Sequence, residues 1–149
     1  MDSAHFELGT DGPGRILVGV DGSDSSLRAA AYAAGLARRQ GAKLLICYVK
    51  TPGVAPVNAP QVAVALNQSH DEIAADLLAE INKQAPRLGI DAELEVREGS
   101  PYTELLQLAE ERRVDAIVVG ASTQAGHRLV GSLATKLVRH ATWPVTVVP

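Results

Sequence analysis

The stretch VVGASTQAGHRLVGSLATKLVRH, residues 118–140, passes from a strand pattern through a glycine-rich loop into a helix pattern. Its first residues are apolar, Gly120, Gly126 and Gly131 punctuate the loop, and Ser132 stands where the helix should begin. Such a loop can cradle a phosphate, because glycine lets the backbone approach closely and helix amides bind anions. It can equally be a plain turn between a strand and a helix, and the loop alone does not distinguish the two interpretations.

Strand and helix patterns alternate along the whole chain. Apolar runs predict strands over residues 15–21, 42–50, 90–99, 115–121 and 144–148, and helical patterns separate them over residues 27–41, 61–88, 101–113 and 132–140. This alternation predicts an α/β fold, a single domain with an open parallel sheet. Ligands bind beyond the carboxyl ends of the strands in such sheets, so function is expected in loops 21–25, 49–60 and 120–132.

The first helix is rich in alanine, and its spacing predicts which face is buried. The residues expected to share that face are Leu27, Ala30, Ala31, Ala34 and Ala37. Gly41 is expected to end the helix.

The composition disfavours several classes of protein. Of 149 residues only 3% are aromatic and the net charge is −3, which argues against a nucleic-acid partner. The single cysteine, Cys47, lies in an apolar run and is expected to be a buried, inert thiol. No run approaches the ~20 apolar residues of a membrane span, and the first residues lack a signal-peptide pattern. We therefore expect a flexible N-terminal tail over residues 1–14, a cytoplasmic protein and no membrane partner.

Two common phosphate-binding motifs do not fit. Gly126 and Gly131 have the spacing of a P-loop, but the lysine that should follow the second glycine is absent. The segment GVDGSDSS, residues 19–26, lacks the third glycine of the dinucleotide fingerprint. An ordinary P-loop NTPase and a dinucleotide-binding protein are therefore not predicted.

From residue 15 to residue 149 the chain resembles the universal stress protein family. ILVGVDGSDSS resembles the opening strand and turn of that family, DAIVVGAS its fourth strand, and GSLATKLVRHATWPVTVV its closing helix and strand. The resemblance implies one universal stress protein domain over residues 15–149. It also implies a five-stranded parallel sheet of order 3-2-1-4-5 with helices on both faces, and a homodimer formed through the last strand, residues 144–148.

The resemblance further implies a regulatory protein of the stress response that binds an adenine nucleotide. The nucleotide-binding members are similar in a loop with three spaced glycines, the last followed by Ser or Thr. Here Gly120, Gly131 and Ser132 match that pattern, whereas Thr123 replaces the second glycine and only seven residues separate it from Gly131. The shortened loop leaves three ligands open: ATP, AMP or cyclic AMP.

The resemblance assigns a role to each candidate residue. Asp21 would hydrogen-bond the ribose or the adenine, and the backbone near Val49 would meet the adenine edge. Gly120 and Ser122 would line the floor, while Gly131, Ser132 and the amide of Leu133 would receive phosphates. Gly126, His127 and Arg128 would partly compensate for the altered loop, since a guanidinium suits phosphate oxygens. The residue pattern agrees, because Asp21, Val49 and Gly120 end neighbouring parallel strands.

Structural alternatives stay open for these residues. Ser132 can serve only as the N-cap of its helix, and Asp21 can serve only in an Asx turn. A dimeric interaction scaffold that binds no nucleotide is the corresponding alternative for the whole protein.

The sequence does not predict a dedicated enzyme. It contains no nucleophile elbow, kinase signature or histidine spacing typical of a metal site, so no catalytic residue and no resident metal is expected. Asp21 and Asp24 form a carboxylate pair that would hold Mg²⁺ only together with nucleotide phosphates. Slow incidental ATP hydrolysis remains an alternative.

Overall fold

The computed structural model describes residues 12–51, 60–121 and 131–149. The elements follow one another as β1 (Arg15–Val20), α1 (Asp24–Gln40), β2 (Lys43–Lys50), α2 (Pro60–Leu88), β3 (Ala92–Glu98), α3 (Pro101–Glu111), β4 (Ala116–Gly120), α4 (Ser132–His140) and β5 (Val145–Val148). The five strands form one sheet in the order β3-β2-β1-β4-β5, and every neighbouring pair is parallel. The predicted fold class and strand order are confirmed.

Side chains that alternate along the strands build two separate cores. On one face Leu17, Leu45 and Ile117 pack with residues of α3 and α4. On the other face Ile16, Ile46 and Val118 pack with residues of α1 and α2. Because helices cover both faces, the central strands are apolar throughout, as the two-sided burial of parallel sheets requires.

The predicted buried face of α1 is only partly right, because Ala37 is buried and Ala30 and Ala34 pack against the core, but the buried stripe is displaced. The residues that the helix buries are Ser25, Ser26, Ala29, Ala33 and Ala37, whereas Leu27 is 44% exposed and Ala31 is also exposed. The helix starts three residues earlier than predicted, with Ser23 as its N-cap. It lies so close to the sheet that only small side chains fit beneath it, and this closeness determines which stripe faces inward.

The two edges of the sheet are β3 and β5, as the strand order implied by the resemblance requires. Residues 1–11 of the predicted tail lie outside the described residues. Gly14 is the last residue of the predicted tail, residues 1–14, and it is hydrogen-bonded to the sheet. Its amide donates to Asp115 Oδ2 at 2.8 Å, and its carbonyl accepts from the Lys43 amide at 2.9 Å.

Candidate functional site at the carboxyl edge of the sheet

A cavity of about 440 Å³ lies where β1, β2 and β4 end. The first turns of α1, α3 and α4 complete its walls. Six of the candidate residues line this cavity, namely Asp21, Val49, Gly120, Gly131, Ser132 and Leu133. The other four, Ser122, Gly126, His127 and Arg128, lie outside the described residues. The structure thus brings together every candidate residue that it describes.

Asp21 follows β1 directly, and its carboxylate is held in an Asx turn. Its Oδ1 accepts a hydrogen bond from the Ser23 amide at 2.8 Å, and its own amide donates to Ser26 Oγ at 3.2 Å. Partial burial raises the pKa of Asp21, but hydrogen bonds from Ser23 and Ser26 together lower this pKa by more, so it lies below its usual range. A carboxylate accepts up to about four hydrogen bonds, so the ionised Asp21 can also accept from a ligand in the cavity.

The lowered pKa of Asp21 predicts a pH dependence of stability. Since the folded-state pKa lies below the unfolded value of about 3.9, the carboxylate stabilises the fold above that pH. This contribution is lost as the pH falls through the folded-state pKa. In urea unfolding between pH 5 and pH 3, we expect the free-energy difference between the wild type and Asp21→Asn to shrink with falling pH. The change should stay below about 1 kcal/mol, because the side chain is exposed. A difference that is constant across this range would contradict the argument.

The first turn of α1 satisfies its own polar groups. Ser23 Oγ accepts from the Ser26 amide at 3.3 Å, and Ser26 Oγ donates to the Ser23 carbonyl at 2.9 Å. Ser25 and Ser26 are the buried polar side chains of the described core, and both line the cavity. The sequence analysis missed these serines as part of the site. The run SDSS directly after a buried strand, residues 23–26, is the available signal.

The first turn of α4 presents amides that no side chain among the described residues caps. Its N-cap is Gly131, with φ −62° and ψ 164°, so the alternative that Ser132 serves as the N-cap is wrong. Ser132 is instead the first helical residue, and it lines the cavity together with Leu133 and Ala134. The first amides of a helix have no partner within the helix and carry its positive dipole end. This wall of the cavity is therefore suited to an anion.

Gly120 ends β4, and its lack of a side chain has a packing cause. A Cβ atom there would lie 2.6 Å from the carbonyl carbon of Ser25 and 2.8 Å from the Ser26 nitrogen. Both are backbone atoms of α1, which a side-chain rotation cannot move. Gly120 is therefore required to seat α1, whatever ligand the cavity holds.

The floor of the cavity is apolar. Cys47 and Leu105 line it beside Val49, and none of the three is more than 7% exposed. Burial raises the pKa of the Cys47 thiol to about 12, so the thiol is uncharged at neutral pH. This agrees with the inert cysteine predicted from the sequence and gives the cavity an apolar part beside its polar lining.

The carboxylate pair suggested for Mg²⁺ is not assembled at the cavity. Asp21 lines the cavity, whereas Asp24 is exposed on the first turn of α1 and is not among the lining residues. Within residues 12–51, 60–121 and 131–149 no group of three or more His, Cys, Asp or Glu side chains is placed to hold a metal ion. Among the helices of those same ranges, none is long and apolar enough to cross a membrane.

The fold and the cavity place the chain among doubly wound α/β proteins whose site lies at the carboxyl edge of a parallel sheet. The model of the universal stress protein family matches residues 13–149, and the chain belongs to that family. It is 32% identical to a universal stress protein, MJ0531, of Methanocaldococcus jannaschii over 139 residues, covering 90% of this chain and 81% of the relative.

Solved structures of the same family superpose on this chain over most of its length. UspA of Lactobacillus plantarum superposes with a TM-score of 0.74 at 28% identity, covering 91% of this chain and 97% of the other. A universal stress protein crystallised in complex with cAMP superposes with a TM-score of 0.68 at 33% identity, covering 92% of this chain and 97% of the other.

Proposed function

We propose that this chain is an adenine-nucleotide-binding regulatory protein of the cytoplasmic stress response, not a dedicated enzyme. The observation that carries the proposal is one cavity lined both by an ionised Asp21 and by the first turn of α4, whose amides no described side chain caps. A carboxylate suits ribose hydroxyls, and helix amides suit phosphate oxygens. The relative of 33% identity that is in complex with cAMP supports an adenine nucleotide as the ligand class.

The described residues suggest how such a nucleotide would lie. The amides of Ser132, Leu133 and Ala134 would receive a phosphate, and Asp21 would accept from the ribose. The adenine would rest on the apolar floor at Cys47. ATP, AMP and cyclic AMP all satisfy this arrangement, and Mg²⁺ would join only with the phosphates, since Asp21 is the carboxylate present at the cavity.

The role of the α4 amides can be tested with Ser132→Pro. Proline suits the first helical position, and the extended Gly131 before it has the backbone angles that a residue preceding proline adopts. The change removes one amide donor and the hydroxyl, whereas Ser132→Ala removes the hydroxyl alone. By isothermal titration calorimetry we expect Ser132→Pro to weaken AMP binding at least tenfold, the loss of a hydrogen bond to a charged group.

Adenosine, which has no phosphate, is the control ligand for the titration of Ser132→Pro with AMP. Its affinity should be the same in the wild type and in Ser132→Pro. If adenosine and AMP weaken equally, the α4 amides do not receive the phosphate. If the wild type shows no heat with ATP, AMP or cyclic AMP at millimolar concentration, the nucleotide proposal fails and the interaction scaffold is favoured.

The role of Asp21 can be tested with Asp21→Asn. The amide oxygen of asparagine preserves the acceptor for the Ser23 amide, so the turn is kept while the charge is removed. We expect AMP and adenosine to weaken by a similar factor of about tenfold. Asp24→Asn removes the same charge from the exposed side of the same turn and should leave both affinities unchanged. Equal effects of the two variants would assign Asp21 a general electrostatic role only.

We also propose a homodimer formed through β5. The Ile117 amide donates to the Pro144 carbonyl at 2.9 Å and the Ala121 amide to the Val148 carbonyl at 2.7 Å. Since backbone groups alternate in direction along a strand, the amides of Val145 and Val147 point to the free edge. An edge with unpaired backbone groups readily pairs with a second chain.

Val147→Pro tests this dimer. Proline at this position removes an outward amide and leaves the bonds to β4 in place. In light scattering we expect the wild type and Val147→Ala to be dimers and Val147→Pro to be a monomer. Val147→Ala is the control, because it shortens the same half-buried side chain but keeps the amide. A dimer that persists in Val147→Pro would place the interface elsewhere.

A further inference from the structure

A second and larger cavity, about 630 Å³, lies between α1 and α2 on the sheet face that α3 and α4 do not cover. We call it the α1–α2 groove. Ala31 and Ala34 line its α1 side, Leu77 and Ile81 its α2 side, and Ile46 its floor. Its lining runs along α1 from Leu27 to Arg38, a length of about 16 Å at ~1.5 Å per helical residue.

The polar groups of the groove are few and unevenly placed. Gln84 Nε2 donates to Glu80 Oε1 at 2.8 Å, so these two α2 side chains satisfy each other. Arg38 stands at one end and has no hydrogen bond or ion pair to any residue that the structure describes. The opposite end is apolar, at Leu27 and Val20. The groove therefore combines a long apolar channel with two charged side chains: Glu80, which is held by Gln84, and at one end Arg38, which has no partner among the described residues.

We propose that the α1–α2 groove binds a long-chain carboxylate, with the acyl chain along the groove and the carboxylate on Arg38. The charge pattern matches this ligand class, which carries one anion at one end of an apolar chain. A peptide segment fits less well, because its amides and carbonyls would lie unpaired along apolar walls. An uncharged hydrocarbon would make no use of Arg38, whose side chain is exposed at the end of the groove. Of the described residues, Val20 alone lines both the groove and the nucleotide cavity, and binding in the groove does not depend on the function proposed for that cavity.

A chain-length series on the full-length protein tests the apolar part. Octanoate, decanoate, dodecanoate and tetradecanoate are titrated by calorimetry below their micelle concentrations. Each added methylene should tighten binding about fourfold, the ratio expected for ~0.8 kcal/mol of burial per CH₂. The gain should cease once the chain exceeds the groove. Affinity that is independent of chain length would overturn the proposal.

Arg38→Gln tests the charged end. We expect dodecanoate binding to weaken about tenfold, the usual loss of a charge-assisted bond, with 1-dodecanol binding unchanged. Arg39→Gln removes the same charge from the next residue, which does not line the groove, and should leave dodecanoate binding intact. Equal losses in the two arginine variants would reduce the effect to general charge attraction and overturn the assignment of Arg38.

Ala34→Leu tests the location. Leucine keeps a high helix propensity and places extra carbon atoms in the middle of the groove. Dodecanoate and 1-dodecanol should both lose binding, while the circular dichroism spectrum stays that of the wild type. Unchanged binding would place the ligand elsewhere.

Two other results would assign the groove a different occupant. If dodecanoate binds only after residues 1–11 are deleted, the occupant is the chain's own N-terminal segment. If dodecanoate binding dissociates a dimer, the occupant is a second copy of the chain; either result overturns the proposal.

Discussion

Gly120→Ala should lower the free energy of unfolding by about 3 kcal/mol, the upper range for forcing an atom into a packed core. The added Cβ would lie 2.6–2.8 Å from backbone atoms of Ser25 and Ser26. Relief requires α1 to move away from the sheet, and the buried contacts of that helix would weaken with it. Urea unfolding followed by circular dichroism measures the change. The same variant should also lose nucleotide binding, because the first turn of α1 is a wall of the cavity.

Gly35→Ala is the matched control. Gly35 lies inside α1, and a Cβ there would meet no atom within 4 Å. Because alanine is the better helix former, this variant should gain about 0.5–1 kcal/mol. Opposite signs for the two changes would show that the contact, not the loss of glycine, causes the effect. A Gly120→Ala protein within about 0.5 kcal/mol of the wild type would contradict the close approach of α1.

Leu137→Ala should cost about 3 kcal/mol, within the range for removing a fully buried leucine side chain. Leu137 is 0% exposed and packs into the core beneath α3 and α4. The helix that it anchors has only nine residues, too few for stability without packing. Since the first turn of α4 is the anion-binding wall, the variant should also weaken AMP binding where it remains folded.

Val138→Ala is the adjacent comparison. Val138 is 60% exposed on the same helix, so its truncation should change stability by less than about 0.5 kcal/mol. Thermal unfolding of both variants at one pH separates the two positions. Similar losses for Leu137→Ala and Val138→Ala would mean that α4 is not seated through the side chain of Leu137.

The sequence predicted the architecture well because its strands are chemically unambiguous. The runs at β1, β2 and β4 are apolar without alternation, and only burial on both faces explains such a pattern. The face of α1 could be predicted only in part, because a helix rich in alanine has little contrast between its sides. What decides that face is the backbone of Gly120, a residue 95 positions after Ser25 in the chain.

The candidate site was also predicted only in part, because the sequence indicates where strands end but not how the helices pack around those ends. Asp21, Val49 and Gly120 could be placed together because each ends a parallel strand, and these ends meet at one edge. The bounds predicted for α4, residues 132–140, agree with the structure, but the alternative that Ser132 is its N-cap is wrong, although serine is a stronger capping residue than glycine on chemistry alone. Ser25 and Ser26 were missed because their burial comes from tertiary packing, which local sequence does not encode.

The contact between Gly120 and α1 restricts how ligand selectivity can be engineered in this protein. No side chain can be introduced at Gly120 to narrow the cavity, because its Cβ would collide with the backbone of Ser25 and Ser26. Redesign must therefore use other lining positions, such as Cys47, Val49 and Leu105.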